Sequence, residues 1–224
     1  MMRKMHNDAK RSLIRHQVLR GALVLDVGCG RGGDLHKWKD KECILYGVDP
    51  DPEAILEATK RSKECGYESW THFSVGDIHT APMLPFDIVC YNFSFQYLFK
   101  SIEFLRSSLV EIANRVRIGG KLIGVVPDAS YITKLPNKWS DSLGNTIDRG
   151  TFSNTNAQVG NMILVKVADG PYYSKGFVPE PLCYKEILFQ EIGEMFELES
   201  WSRMIPAQTG LITDIYSQFI FRRV

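Results

Sequence analysis

The sequence lacks long apolar runs and paired cysteines. No apolar stretch approaches the roughly 18 residues that a membrane-spanning helix needs, and the first residues are too polar and basic for a signal peptide. The five cysteines are odd in number and include no C-x-x-C pair. This argues against a disulfide framework and against a cysteine zinc site. We expect a protein with no membrane segment that works in a reducing compartment, the cytoplasm.

An excess of charge of one sign is also lacking. The 27 Lys and Arg residues nearly balance the 26 Asp and Glu residues, which argues against a long, non-specific nucleic-acid footprint. The exception is residues 1–20, where six basic residues stand against one acid, Asp8. Such a cluster is either a solvated helix face or an anion-binding surface. We predict that this basic N-terminal helix contributes to the substrate site.

Signatures of metal and nucleophile chemistry are missing as well. The five histidines show neither i, i+4 pairing nor the cysteine partners of a metal-ligand set. No Ser-His-Asp or Cys-His arrangement indicates an activated nucleophile. We therefore expect no metal site.

What the sequence does contain is an alternation of short apolar strands with helical patterns. This order predicts an α/β fold with a mostly parallel sheet covered on both faces. Residues 136–182 interrupt it, since they are rich in Asn, Gly, Ser and Pro and hold one alternating strand, Met162–Val167. We predict one domain over residues 1–224, with 136–182 as an insertion or lid. The other predicted helices and strands are 5–20, 51–65, 102–116 and 184–195, and 23–27, 44–48, 71–75, 86–91, 121–126, 196–202 and 214–222.

A glycine-dense loop, Gly28 to Gly33, follows the first predicted strand. Its G-x-G-x-x-G spacing lets the backbone pass close to a ligand and indicates an adenosine-type cofactor, either NAD or S-adenosylmethionine. Asp49 lies about 20 residues after the loop and suits the ribose hydroxyls of both.

Two further acids favour the methyl donor. Asp26 precedes the loop and suits the donor's ammonium, and Asp77 follows the third strand and suits the adenine amino group. Each acid alone is an ordinary cap or turn residue. Together with Asp49 they predict a class I S-adenosylmethionine-dependent methyltransferase, with a Rossmann-like, seven-stranded sheet.

Six ordered motifs, spread over nearly the whole chain, resemble those of mRNA cap guanine-N7 methyltransferases. The glycine loop through Trp38 resembles the family's "GCG-K-GGDL-KW", with Arg31 where the family has lysine. The other motifs are Asn7 with Lys10, Phe86–Val89 with Gln96 and Tyr97, Ile118–Gly124 with Pro127 and Asp128, Val178–Glu180, and Asp214–Tyr216.

The compact form further resembles the methyltransferase domains of large-DNA-virus capping enzymes. This resemblance implies that the chain is part of, or associated with, a larger capping enzyme that also has triphosphatase and guanylyltransferase domains.

The family resemblance implies an enzyme that transfers the methyl group of S-adenosylmethionine to N7 of the 5′ guanosine cap of RNA. N7 has a lone pair and no proton to lose, so no general base is needed and catalysis rests on positioning by Gln96, Tyr97 and Glu180. The cofactor-binding residues would be Lys10, Asp26, Gly28, Cys29, Gly30, Asp49, Asp77, Ile78, Asn92 and Tyr97. The cap-binding residues would be Asn7, Arg31, Lys37, Arg61, Phe93, Gln96, Pro127, Glu180 and Tyr216.

The side-chain chemistry agrees with the base-binding assignments. Glu180 can accept hydrogen bonds from N1–H and from the exocyclic amine of guanine. Phe93, Tyr97 and Tyr216 offer flat faces on which a base can stack. The ordinary alternatives are a solvated loop acid for Glu180 and an i, i+4 core pair for Phe93 and Tyr97.

The cations and two substituted positions complete the predicted cap site. Arg31, Lys37 and Arg61 can pair with the triphosphate bridge, although Lys37 and Arg61 would ordinarily be exposed helix charges. Gln96 replaces the family histidine and cannot carry a proton. Asn92 replaces the usual glutamine and is a shorter amide.

Three other functions stay open at this point. A methyltransferase for a small molecule or a protein would show no dependence on a guanosine cap. A non-catalytic RNA-binding module need not keep the glycine loop, Asp49 and Asp77. An NAD dehydrogenase would need a hydride-transfer acid or base near the strand ends, and the sequence offers no convincing one.

Overall fold

A computed structural model describes residues 2–150, 158–168 and 176–224 of the chain. The helices are α1 (Met2–Gln17), α2 (Leu35–Lys39), α3 (Pro52–Glu64), α4 (Ile102–Arg115), α5 (Ala129–Ile132) and α6 (Lys185–Ile192). The strands are β1 (Leu23–Val27), β2 (Ile44–Asp49), β3 (Thr71–Val75), β4 (Phe86–Asn92), β5 (Val116–Pro127), β6 (Lys138–Ser140), β7 (Thr146–Asp148), β8 (Met162–Lys166), β9 (Val178–Pro181), β10 (Phe196–Arg203) and β11 (Tyr216–Arg223). None of these helices is long and apolar enough to cross a membrane.

The main sheet has seven strands in the order β10-β11-β5-β4-β1-β2-β3. Strands β1 to β5 pair in parallel, whereas β11 runs antiparallel to both β5 and β10. Successive residues of a strand point to opposite faces, and the adjacent Val24 and Leu25 of β1 are both fully buried. Both faces of the central sheet are therefore covered, and the predicted fold class is confirmed.

Two long helices begin at residues whose side chains cap them. Asp51 accepts a hydrogen bond from the Glu53 N–H at the start of α3, with Pro52 at the first helical position. Ser101 accepts one from the Phe104 N–H at the start of α4. Both helices then return the chain to a neighbouring strand, which sets the parallel order of the sheet.

Several predicted boundaries differ from the structure, and three of these differences have a clear physical reason. Helix α1 spans Met2–Gln17 rather than 5–20, and the left-handed Gly21 (φ 76°) turns the chain towards β1. Strand β5 begins at Val116 rather than 121. Gly119 and Gly120, residues typical of a turn, lie inside the strand at the point where its register with β4 shifts. The last strand begins at Tyr216, because a 3₁₀ turn occupies Ile212–Ile215.

The insertion forms a second sheet, and here the sequence prediction was incomplete. Strands β6, β7, β8 and β9 pair antiparallel in that order. Only β8 was predicted, because strands of three or four residues are too short to show a recognisable alternation. Strand β9 carries Glu180, which therefore lies in a sheet and not in a solvated loop. The predicted insertion also includes residues 151–157 and 169–175, which lie outside the described part of the chain.

Candidate active site

The loops at the carboxyl ends of β1, β2, β3 and β4 open into one cavity of about 880 Å³. This edge of a doubly wound sheet is the usual ligand side, and cavities that hold nucleoside-sized ligands fall in the range of roughly 300–1,000 Å³. Helix α1 and strand β9 line the opposite wall. The cavity therefore brings the N-terminal helix and the insertion to the same place as the glycine loop.

The glycine loop is held at the cavity by strand β2. Gly28 and Gly30 have left-handed φ values of 75° and 53°, and a Cβ on Gly28 would collide with Ser94. The Gly30 N–H donates to Asp49 Oδ2 at 2.8 Å, and the Asp51 N–H donates to Asp49 Oδ1 at 3.0 Å. Both oxygens are thus fixed at the cavity wall while keeping lone pairs for ribose hydroxyls.

The opposite end of the cofactor side is formed by the turn after β3. Asp77 Oδ1 accepts from the His79 N–H at 2.9 Å, and the neighbouring Ile78 is buried. Both residues line the cavity, as does half-buried Cys29. Burial raises the pKa of the Cys29 thiol, so the thiol is an uncharged part of the cavity wall. A carboxylate beside apolar surface suits an adenine ring with its amino group.

Asp34 is the best-connected side chain of the site, and sequence reasoning assigned it no role. Its Oδ1 lies 2.7 Å from both Lys10 Nζ and Lys37 Nζ, and its Oδ2 accepts from Asn92 Nδ2 at 3.0 Å. Burial by itself would raise the pKa of Asp34, but the two ammonium groups outweigh it and hold the pKa at about 2. One carboxylate therefore joins α1, α2 and β4 below the cavity.

Asp26 is the second buried acid. It is 4% exposed and accepts a hydrogen bond from Trp38 Nε1 at 3.1 Å. Burial, and then the nearby Asp34 charge, raise the pKa of Asp26 to about 7. A buried carboxyl of this kind at a cavity wall gains most from a cationic ligand group, because the cation offsets the cost of ionising it.

We expect Asp26→Asn to stabilise the protein at pH 8 and to leave stability unchanged at pH 4. Because the pKa of folded Asp26 lies above the ordinary 3.8, the contribution of Asp26 to wild-type stability is highest below about pH 4 and falls as pH rises from there through 7. Asparagine keeps the acceptor for Trp38 without the cost of ionisation, a gain of about 2–4 kcal/mol at pH 8. Urea unfolding at the two pH values checks this. Equal effects at both would contradict the burial argument.

Glu180 and Gln96 meet across 84 residues of sequence. Gln96 Nε2 donates to Glu180 Oε2 at 3.2 Å and to the Phe93 carbonyl at 3.1 Å, and both side chains are almost completely buried. Gln96 Oε1, Asn92 Oδ1 and the Tyr91 hydroxyl have no hydrogen-bond partner within the described residues. All three residues line the cavity, so this buried wall has unused polar atoms where a ligand would satisfy them.

The predicted aromatic residues also converge. Phe93 has a left-handed φ of 64° and packs edge-to-face on Tyr216 of β11, with ring centroids 4.9 Å apart. Tyr97 lines the cavity and is 43% exposed. A core pair of Phe93 with Tyr97 does not describe these positions, because Phe93 packs against a distant strand while Tyr97 faces open space.

Four predicted cap residues lie outside the cavity lining. Lys37 is not the exposed helix charge that its position suggested: its ammonium is buried and donates to Asp34 and to Asn7 Oδ1 (3.0 Å). Arg61 is exposed, pairs with Glu57 at 2.8 Å and borders a separate hollow. Arg31 is exposed, and Pro127 lies at the buried end of β5. By contrast the remaining predicted residues, Asn7, Lys10, Asp26, Gly28, Cys29, Gly30, Asp49, Asp77, Ile78, Asn92, Phe93, Gln96, Tyr97, Glu180 and Tyr216, all line it.

Sequence reasoning missed several lining residues, chiefly His6, Tyr91 and Ser94. Tyr91 sits within an apolar strand and His6 on a basic helix, where neither pattern marks a ligand contact. For Asp34 a signal existed, since it follows the glycine loop directly within the quoted motif.

Solved structures share this fold over almost the whole chain. The CcbJ methyltransferase from Streptomyces caelestis is 11% identical, and the match covers 98% of this chain and 96% of that one with a TM-score of 0.73. An S-adenosylmethionine-dependent methyltransferase from Clostridium acetobutylicum is 15% identical, with 98% and 91% covered and a TM-score of 0.67. The parallel sheet, the glycine turn, the acid that ends β2 and the acid that follows β3 define a class I S-adenosylmethionine-dependent methyltransferase. S-adenosylmethionine is the cofactor of this class.

The sequence comparisons give the family. The mRNA (guanine-N(7))-methyltransferase domain matches residues 1–204, and the chain belongs to this family. The mRNA cap guanine-N(7) methyltransferase of Saccharomyces cerevisiae is 31% identical over 175 residues, which are 70% of this chain and 40% of that protein. The enzyme of the same name from Schizosaccharomyces pombe is 36% identical over 122 residues, 50% of this chain and 34% of that protein. The chain spans about 40% of the length of the first of these relatives.

Proposed function

We propose that this chain methylates N7 of the guanosine cap of RNA, using S-adenosylmethionine. The observation that carries the proposal is the Glu180–Gln96 pair, a buried carboxylate held by an amide in the wall of the same cavity that contains Asp49 and Asp77. One half of the cavity thus suits an adenosine and the other half suits a second base that presents N–H donors.

On the cofactor side the residues present fit S-adenosylmethionine. Asp49 would bind the ribose hydroxyls, and Asp77 with Ile78 would bind adenine. Asp26 would face the ammonium group, which explains why a buried carboxyl is kept there. Gly28 and Gly30 supply the left-handed backbone that this loop needs to pass the cofactor.

On the acceptor side Glu180 would bind the N1–H and the exocyclic amine of guanine. Adenine has no donor at N1, so this contact selects guanine. Phe93, Tyr97 and Tyr216 would flank the base, with stacking energy of roughly 1–3 kcal/mol per base. Asn7 lies at the cavity rim, and exposed Arg31 and Arg61 would meet the triphosphate where the cap leaves the cavity.

For this reaction the protein mainly has to position the cofactor and the guanine relative to each other. S-adenosylmethionine held by Asp26, Asp49 and Asp77 would supply an electrophilic methyl group. Glu180, Phe93 and Tyr97 would hold the guanine so that its N7 lone pair can accept this methyl group while the bond to sulfur breaks and S-adenosylhomocysteine leaves. Aligning the two groups contributes roughly 7–11 kcal/mol through effective molarity. The Glu180 carboxylate stabilises the positive charge that develops on the guanine. A general base has no proton to remove.

Labelled S-adenosylmethionine tests the proposal with three acceptors: GpppG-capped RNA, ApppG-capped RNA and free GTP. We expect label at N7 of the first, in clear preference to the other two. Equal labelling of ApppG-capped RNA would point to another acceptor atom. Binding of capped RNA with no labelling at all would instead favour a non-catalytic RNA-binding module.

We also propose that the chain acts in the cytoplasm alongside triphosphatase and guanylyltransferase domains, as in large-DNA-virus capping enzymes. The reaction itself supports such an association, because those two steps produce the GpppN end that this chain would methylate. The absence of C-x-x-C pairing supports a reducing compartment. Co-purification of the chain with guanylyltransferase activity tests the association.

A further inference from the structure

Three aromatic rings, from α1, from the turn after β4 and from β11, meet at the acceptor side of the cavity. His6 of α1 stacks on Phe93 with ring centroids 5.1 Å apart and an interplanar angle of 27°. It also meets Tyr216 edge-on at 5.4 Å, and Phe93 and Tyr216 meet at 4.9 Å. All three residues line the cavity. Phe93 and Tyr216 belong to the proposed guanine pocket, whereas His6 has no role in it so far.

His6 is held in place from two sides. Its Nε2 lies 3.0 Å from the Thr213 hydroxyl, in the turn that precedes β11. One turn along α1, Lys10 pairs with Asp34, and Asn7 accepts from Lys37. The helix is therefore tied to the cofactor-side acid network, while its histidine is tied to the turn before the aromatic strand. The ring cannot shift without disturbing Phe93, because the two are in face contact.

The ring is also uncharged under neutral conditions. Burial, and then the Lys10 ammonium, lower the pKa of His6 to about 4. Methylation at N7 makes guanine a cation, which a neutral aromatic face attracts and an imidazolium would repel. A flat neutral ring behind Phe93 is thus compatible with both the neutral substrate and the charged product.

We propose that His6 is a positioning residue for the cap guanine. It packs against Phe93 and Tyr216 and thereby holds these two rings in the orientation that binds the base. The inference rests on the proposed function and assigns α1 two structural roles. Besides its link to Asp34 under the cofactor half of the cavity, the helix fixes the aromatic half. Donor and acceptor sites are therefore aligned by one element.

Steady-state kinetics of three variants tests this, with GpppG-capped RNA as acceptor. We expect His6→Ala to raise the KM for capped RNA about tenfold, the scale of one lost stacking contact, with kcat and the Kd for S-adenosylmethionine within about twofold of wild type. His6→Phe keeps a flat neutral ring and is expected to restore most of the KM. His16→Ala is the matched control, since His16 is exposed on the same helix and, in the part of the chain that the structure describes, bonds to Ser12 of that helix.

Three results would overturn the proposal while wild type still methylates capped RNA. They are an unchanged KM in His6→Ala, an equal loss of RNA and S-adenosylmethionine binding, and a His6→Phe variant as impaired as His6→Ala. The last two would assign His6 to the general stability of α1, and thermal melts of each variant report that directly. A wild-type protein that leaves GpppG-capped RNA unmethylated would overturn the proposed function itself, and this inference with it.

Discussion

Glu180→Gln is expected to lower kcat/KM for GpppG-capped RNA by at least about 100-fold, the loss typical of removing one electrostatic contact to a developing charge. A carboxylate accepts from both N–H groups of guanine, whereas glutamine accepts with one oxygen and turns its NH2 towards a donor. The substitution also sets that NH2 against Gln96 Nε2, which now donates to Glu180. Glu180→Ala is expected to lose most activity for the same reason.

S-adenosylmethionine binding separates this effect from misfolding. Glu180 lies on β9 of the insertion, away from the glycine loop and Asp49, so we expect the Kd of the cofactor to stay within about twofold. Glu186→Gln serves as the matched control, because Glu186 is an exposed acid on the adjoining α6. An active Glu180→Gln enzyme would contradict the assignment of Glu180 to the guanine site and the explanation of guanine specificity that rests on it.

Asp34→Asn is expected to have the largest effect on stability. The carboxylate is buried between two ammonium groups, one of them on Lys37, which is 4% exposed. Removing the negative charge leaves the buried Lys37 and the half-buried Lys10 without this counter-ion, at a cost of about 3–5 kcal/mol. Urea unfolding at pH 7 measures the loss. Because Asp34 joins α1, α2 and β4, weaker S-adenosylmethionine binding should accompany it.

The pH dependence of wild-type stability provides a second check on Asp34. Its pKa of about 2 lies below the ordinary 3.8, so its contribution is complete above about pH 4 and is lost as pH falls towards 2. Asp40→Asn is the control, since Asp40 pairs with Arg11 at 2.8 Å on the exposed surface. Such pairs contribute about 0–1 kcal/mol. A loss in Asp34→Asn no greater than in Asp40→Asn would contradict the structure's account of this network.

The sequence predicted most of the acids and glycines that line the proposed donor half of the cavity. The glycine spacing and the acids at or near the carboxyl ends of the first three strands all lie within short segments, and parallel strands bring their carboxyl ends to one edge of a sheet. Asp49 and Asp77 consequently lie at the same edge of the sheet, where both line the cavity. The strands β6, β7 and β9 escaped prediction because each is too short to show a period and is stabilised only by its neighbours.

Side-chain roles in the acceptor half were less accessible. Lys37 was predicted to meet phosphate, yet it pairs with Asp34 and Asn7, because a short helix turns it inward under α1. Glu180 follows a proline, which suggests a loop, yet its strand pairs with β8 and buries it. In each case the local pattern was compatible with two environments, and a distant element selected one.

By itself, the sequence determined what depends on local geometry: the alternation of strands and helices, the left-handed glycine turn, the capped starts of α3 and α4, and the acids at strand ends. Only the tertiary structure decided which distant groups meet. Gln96 and Glu180 are 84 residues apart, and Asp34 gathers Lys10 and Asn92 from either side of it in the chain. Such pairings depend on how the insertion and α1 pack over the sheet. Burial, not sequence spacing, sets the protonation states of the acids and determines which unpaired polar atoms face the cavity.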